Sequence, residues 1–248
     1  MWSRRATIEP MTANPNQSNL ILWDIDHTLV TIGEVSREIY EMAFEEVVGQ
    51  PLREMADMTG RTERAILAET LGLHGVSDPE SKFDDFYAGL ARAADKLRER
   101  MRTVGRRLPG AAEAIVALAD YDVVQTVVTG NIKPIAVTKL EVFELAEGLD
   151  FEVGGYGSDG DTRPPLVRQA WQRAQHKYGR MFEADHVVVI GDTPFDIATA
   201  REVGVHAVGV ATGSSTVEDL MAAQASIVLP DLADTEAVIR AVCRATHA

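Results

Sequence analysis

Apolar positions along the chain fall into two textures. Leu20-Ile21-Leu22-Trp23 is an unbroken apolar run, the pattern of a strand buried on both faces of a parallel sheet. Short runs of the same kind recur from about Gly110 onward, at Val123–Val128, Phe151–Val153, Val187–Ile190, Ala207–Val210 and Ile227–Leu229. Stretches of helical character lie among them: Pro134–Leu145, Leu166–Tyr178, Pro194–Val203 and Val217–Ala223. Pro134 and Pro194 suit the first turn of a helix, where the missing N–H costs nothing. This alternation predicts right-handed βαβ units and an α/β fold with a doubly wound, mostly parallel sheet.

The stretch from Gly33 to Arg107 reads differently, and no strand is expected in it. Tyr40, Phe44 and Val47 recur at helical spacing after Ser36, a suitable N-cap, and Ala65–Leu71 and Phe83–Leu97 continue the pattern. Gly33 and Gly105 bracket the segment, and Pro109-Gly110 restarts the strand–helix alternation. Roughly 70 residues is more than one crossover connection needs. The expected organisation is a loose arm over 1–18, an α/β core over 19–32 and 107–248, and an inserted all-helical cap over 33–106.

Composition narrows the function classes. Hydrophobic residues are 46% and charged residues 25% of 248, the balance of an ordinary globular protein. A net charge of −14 argues against nucleic acid as a main partner, although arginines cluster locally at Arg98, Arg100, Arg102, Arg106 and Arg107. The single cysteine, Cys243, excludes an intramolecular disulfide and a thiolate zinc site. No apolar stretch follows Arg4-Arg5, the Asn16-Gln17-Ser18 sequon has no secretory signal to give it meaning, and no run has the length of a membrane span. The expectation is a cytoplasmic protein with no membrane partner.

Candidate chemistry gathers where the predicted strands end. The first run stops on Asp24 and Asp26, spaced i, i+2 and followed by Thr28. In open α/β sheets ligands bind beyond the carboxyl ends of the strands. Carboxylates crowded there repel one another, and a hard cation such as Mg2+ relieves that repulsion through oxygen ligands. Thr129-Gly130-Asn131 follows the second run, and Gly191-Asp192-Thr193-Pro194-Phe195-Asp196 follows Val187–Ile190. Arg163 precedes Pro164-Pro165 and the next helix. Acids, a hydroxyl, N–H donors and a fixed cation at one sheet edge suit phosphoryl transfer, which is catalysed by positioning and charge neutralisation.

Other motifs dissolve on inspection. Gly155-Tyr156-Gly157-Ser158-Asp159-Gly160 fits the dinucleotide pattern but leads into Arg163-Pro164-Pro165 rather than directly into a helix, and lies outside the first βα unit. Asp24-x-Asp26-x-Thr28 imitates the start of a calcium loop, yet Leu29 stands where that loop needs glycine. No P-loop sequence occurs, and the six histidines form no zinc-like pair.

The ordered set Asp24-x-Asp26-x-Thr28, Thr129-Gly130-Asn131, Arg163-Pro164-Pro165 and Gly191-Asp192-x-x-x-Asp196 resembles the haloacid dehalogenase superfamily. The helical insert after the first strand is similar to the cap of its phosphoglycolate-phosphatase and β-phosphoglucomutase branch. The resemblance implies Asp24 as nucleophile and Asp26 as general acid/base, with the Asp26 backbone carbonyl on Mg2+. It implies Thr129, with Gly130 and Asn131, and Arg163 around the phosphoryl group. Asp192 would complete the metal site with Asp24, and Asp196 would bind the metal or support it. Two positions depart from the pattern: His27 stands where many members have glycine, and Arg163 where most have lysine. The dehalogenases of the superfamily lack the second aspartate, so Asp26 speaks against a haloacid substrate. The implied function is a Mg2+-dependent phosphatase of a small-molecule phosphate ester acting through an aspartyl-phosphate. The alternatives are a sugar phosphomutase of the same branch and, from another class, a non-catalytic binding protein. In the cap, Gly60-Arg61-Thr62 is expected to face the core, with Arg61, assisted by Arg64, meeting an anionic group of the substrate; the competing reading is a solvated helix start capped by Thr62.

Overall fold

A computed structural model describes residues 19–245, so the arm expected over 1–18, with its arginine pair and sequon, lies outside the described residues. The chain runs through β1 (Asn19–Trp23), β2 (Val30–Thr31), α1 (Val35–Val48), α2 (Glu63–Leu73), α3 (Phe83–Lys96), α4 (Arg98–Val104) and β3 (Arg106–Arg107). It continues through α5 (Ala111–Leu118), β4 (Val123–Val127), α6 (Lys133–Val142), α7 (Arg163–Tyr178), β5 (Val187–Gly191) and α8 (Pro194–Val203). The last elements are β6 (His206–Val210), α9 (Val217–Ala222), β7 (Ile227–Leu229) and α10 (Thr235–Ala245).

The unbroken apolar run of β1 reflects its place inside the sheet. All five of its residues are buried, and it pairs in parallel with β4 on one side and β5 on the other. The full order is β4-β1-β5-β6-β7, parallel throughout. Successive side chains of a strand face opposite ways, and both faces are covered. Ile21 and Trp23 pack in one apolar cluster with Ile115 of α5 and Val238 of α10, whereas Leu20 and Leu22 pack in another with Leu166 of α7 and Ile197 of α8. Trp23 lies opposite Val127 of β4 and Ile190 of β5, so the three strands release the chain at one level. There β1 has neighbours reached by connections of opposite direction, the crevice where ligands of such sheets bind.

Four α-helices and a short 3-10 turn, Glu80–Lys82, fill the chain between β2 and β3. α1 lays Ile39, Tyr40, Ala43 and Phe44 against Phe86, Leu90 and Ala93 of α3, with the Phe44 and Phe86 rings 5.9 Å apart in an edge-on arrangement. α3 and α4 in turn pack on α6. The apolar cluster is continuous from Phe44 and Phe86 to Trp23 and Ile190, so the helical insert and the sheet share one core. Main-chain bonds join them again: the Glu63 N–H donates to the Gly130 carbonyl at 2.8 Å and the Arg64 N–H to that of Gly157 at 3.1 Å. This seam needs glycine, because a Cβ on Gly130 would lie 2.1 Å from the Arg61 carbonyl oxygen.

Several expected details change. Phe151–Val153 is not a strand. Asp150 accepts the Glu152 N–H on its side chain at 3.0 Å and folds the segment into a turn, leaving one bridge, Val128 to Gly155, at the sheet edge. Arg106–Arg107 does form a short strand, antiparallel to Val30–Thr31, in a region where none was expected. Ser36 is not an N-cap: Glu34 holds that position after the left-handed turn at Gly33 (φ +55°), and Ser36 lies inside the first turn of α1. Thr62 does cap α2, accepting the Ala65 N–H at 3.3 Å. α5 and α10 were not foreseen.

Candidate active site

Asp24 is the first residue beyond β1, and its N–H donates to the Ile190 carbonyl at 2.8 Å, which fixes it against β5. Asp192 follows β5, and Asp196 lies in the first turn of α8, one turn further on. Oxygens of Asp24, Asp192 and Asp196 lie within 4.8 Å of one another, and all three residues are buried. One cation serves the group: Arg163 Nη2 is 2.8 Å from Asp24 Oδ1 and 2.6 Å from Asp196 Oδ1. The second contact lacks hydrogen-bond geometry, and Arg163 Nε has no partner among the described residues. Thr28 adds a hydroxyl shared, at 3.5 and 3.4 Å, between Asp24 Oδ2 and Asp192 Oδ1.

Burial, and then the charge of Asp196, push the Asp24 carboxyl well above the usual range despite Arg163; the same two causes raise Asp192. Three carboxylates around one guanidinium thus lack positive charge, and a hard divalent cation fits that deficit. Asp196 also spans a capping box, its Oδ2 accepting the Thr193 N–H at 3.0 Å and the Thr193 hydroxyl at 2.6 Å.

Asp26 points elsewhere. Lys139 Nζ donates to both of its oxygens at 2.7 Å, and Asn131 Nδ2 donates to Oδ2 at 2.7 Å. Asn131 Nδ2 also reaches Thr129 Oγ1 at 2.7 Å, and its Oδ1 accepts from Lys139 at 2.9 Å. Burial alone would raise the Asp26 carboxyl, but Lys139 and the hydrogen bonds from Asn131 and Lys139 hold it below the usual range. Lys139 was not foreseen, although a signal existed. It stands four residues after Ile135 on the inward stripe of α6, where a lysine needs a buried anion.

A cleft of about 350 Å³ opens above these groups, and the insert forms its far wall. Arg61 lines it, but its guanidinium is engaged: Nη1 meets Glu69 at 2.7 Å and the Asp57 carbonyl at 3.2 Å, and Nη2 donates to the Ala65 carbonyl at 3.2 Å. Arg64 pairs with Asp161 and Glu80 at 2.7 and 3.1 Å and lies over the Phe83 ring. Glu63, also unforeseen, lines the cleft while only 2% exposed, and accepts a hydrogen bond from the Tyr40 hydroxyl. Burial raises its carboxyl from 4.5 to about 7. A glutamate after a threonine N-cap reads as a solvated helix start, so nothing in the sequence marked it.

On the opposite rim, His27 has φ +62°, a backbone conformation that favours glycine. The loop after β6 closes on it: Thr212 Oγ1 donates to the His27 carbonyl at 2.6 Å. Gly213 follows because a Cβ there would lie 1.8 Å from Asp192 Oδ2.

Comparison with known proteins places the chain by family and fold. The family profile described as haloacid dehalogenase-like hydrolase matches residues 21–201. A phosphoglycolate phosphatase of Agrobacterium fabrum is 25% identical over 225 residues, covering 90% of this chain and 92% of that one. Among solved structures, a hydrolase from Pseudomonas syringae superposes with a TM-score of 0.63 at 20% identity, covering 90% of this chain and 98% of that one. A Bacteroides vulgatus protein provisionally assigned as a β-phosphoglucomutase gives 0.62 at 16%, covering 94% and 92%. The structural likenesses carry the fold; the match across 21–201, which includes Asp24 and Asp26 beyond the end of β1 and the Gly191–Asp196 turn, carries the kinship, and the chain belongs to the haloacid dehalogenase-like hydrolases.

Proposed function

We propose that the chain is a Mg2+-dependent phosphatase of small phosphomonoesters that works through an aspartyl-phosphate on Asp24. The observation that carries this reading is the buried group of Asp24, Asp192 and Asp196 around Arg163 at the carboxyl edge of β1 and β5. The family membership and the name of the Agrobacterium relative support it.

In this reading the Asp24 carboxylate attacks phosphorus, a bond forms between its oxygen and phosphorus, and the bond from phosphorus to the alcohol oxygen breaks. Arg163 and the Thr129 hydroxyl hold the phosphoryl oxygens, with the Thr129-Gly130-Asn131 turn beneath them. Asp26 gives a proton to the departing oxygen and then takes one from a water whose oxygen bonds to phosphorus as the bond from phosphorus to the Asp24 oxygen breaks, which returns the Asp24 carboxylate and releases phosphate. An ionised Asp26 is ready for the second half. The first half needs it protonated, so the grip of Lys139 and Asn131 must loosen when substrate fills the cleft. Asp24 and Asp192, with the Asp26 backbone carbonyl, would hold Mg2+, which supplies positive charge to the phosphoryl oxygens. Asp196 braces Arg163 and the start of α8.

The test is phosphate release from p-nitrophenyl phosphate. Turnover should require Mg2+, stop with chelator and vanish in Asp24→Asn, and a trifluoroberyllate complex should attach in line with the Asp24 carboxylate. Undiminished turnover in Asp24→Asn, or in chelator, refutes the mechanism.

A further inference from the structure

The insert-side wall of the cleft has an unusual electrostatic make-up for a site that admits anions. Among the described residues three strong cations line the cleft, and each already has an acidic partner: Arg163 holds Asp24 and Asp196, Lys139 holds Asp26, and Arg61 holds Glu69. Two lining acids are in no ion pair among the described residues: Asp192, which belongs to the carboxylate group of the proposed metal site, and Glu63. Glu63 enters the wall from the first turn of α2, placed there by the Thr62 cap and by its own N–H on the Gly130 carbonyl. The Tyr40 hydroxyl of α1 donates to its Oε1 and fixes the carboxyl in place. The mechanism proposed above makes no use of either residue.

We infer that Glu63, oriented by Tyr40, is the specificity-determining residue of this cleft and selects phosphomonoesters whose organic part carries hydroxyl groups and no carboxylate. This rests on the phosphatase reading and names its substrate class. A carboxylate acceptor takes a hydrogen bond from a hydroxyl in any direction its lone pairs allow. A second carboxylate brought to the same wall meets a like charge in a poorly hydrated place, with no unpaired cation among the described lining residues to offset it. Burial raises the Glu63 carboxyl to about 7, so the repulsion grows as pH rises through that value, and the comparison below is made at pH 8. The groups facing it are Tyr40 of α1, Tyr87 of α3, Lys139 of α6 and Asp26, and Lys139 is committed to Asp26.

The test compares two esters of one skeleton, glycerol 3-phosphate and 3-phosphoglycerate, in which a carboxylate replaces a hydroxymethyl group. The quantity read is the ratio of their kcat/KM values within each variant of the full chain with Mg2+, so that a general loss of activity cancels. Wild type should favour glycerol 3-phosphate by about 10-fold or more, the scale of a like-charge clash. Glu63→Gln should move that ratio toward 3-phosphoglycerate by about 5-fold or more, because the amide hydrogen-bonds without the charge. Tyr40→Phe, which frees the carboxyl, should move it in the same direction and serves if the first variant folds poorly. Arg61→Ala should leave the ratio unchanged. A wild-type preference for 3-phosphoglycerate, an unmoved ratio in both Glu63→Gln and Tyr40→Phe, or a selective loss of 3-phosphoglycerate turnover in Arg61→Ala overturns the inference. p-Nitrophenyl phosphate separates the two failures: Mg2+-dependent release from it with no such ratio defeats only the specificity, whereas no release from any ester defeats the phosphatase reading.

Discussion

Replacing Glu63 by glutamine should stabilise the protein, and only at higher pH. The carboxyl sits 2% exposed, and burial raises it from 4.5 to about 7. Between those values the folded protein holds a proton that the unfolded chain has released. Stability therefore falls as pH rises through that window and stays at the lower level above it. The rise corresponds to about 3 kcal/mol at 1.36 kcal/mol per pH unit. Below pH 4.5 the protonated acid and glutamine have nearly the same shape and the same capacity to accept from Tyr40. Glu63→Gln should then match wild type near pH 4.5 and exceed it by about 3 kcal/mol at pH 8, or roughly 6–12 °C in Tm for a chain of this size. Denaturant melts at both pH values, read as the difference between variant and wild type, cancel the other titrating carboxylates. An equal difference at pH 4.5 and pH 8, or a variant less stable than wild type at pH 8, refutes the assignment of Glu63 as a buried acid under electrostatic strain.

Three further outcomes follow from the geometry. Lys139→Met leaves Asp26 without its cation; because the Asp26 side chain keeps 36% exposure and can rehydrate, urea titration should show a loss of roughly 1–3 kcal/mol rather than the full cost of an orphaned buried charge. Gly213→Ala drives a methyl to 1.8 Å from Asp192 Oδ2; calorimetric Mg2+ affinity should fall by about 10-fold or more, the scale seen when a ligand's supporting contacts are disturbed, with little change in Tm. Phe86→Ala opens a cavity in the core that insert and sheet share; a loss of about 3–5 kcal/mol in a single cooperative transition is expected, and two separate transitions would show that the helices hold together on their own.

What the sequence disclosed follows from how local each signal was. Asp24 was legible because an uninterrupted run ending on an acid has one good meaning in a parallel sheet, and Asp192 because its strand and helix flank it directly. The same reasoning failed at Phe151–Val153, where the Asp150 side chain competes with the ladder for the Glu152 N–H. Lys139 and Glu63 were missed for another reason. Glu63 has the look of a solvated helix start, and Lys139, although on the inward stripe of α6, does not by itself name the anion it needs; their partners lie 23 and 113 residues away in the chain. Arg61 shows the converse: a cation at a promising position in the chain is occupied by Glu69, eight residues on, which helical spacing alone did not flag.

The two-residue ribbon of Val30–Thr31 against Arg106–Arg107 bears on how the chain finds its fold. β1 must pair with β4, and the segment between Trp23 and Val123 would close a loop of roughly 100 residues, at an entropic cost growing as 1.5 RT ln n. Once the helical insert has collapsed and the ribbon has clamped its base, the path from β1 to β4 shortens to roughly 23 links, which lowers that cost by about 1 kcal/mol. The pair of arginines thus acts as a topological staple: it lets a hundred-residue detour behave, for the central strands, as an ordinary crossover.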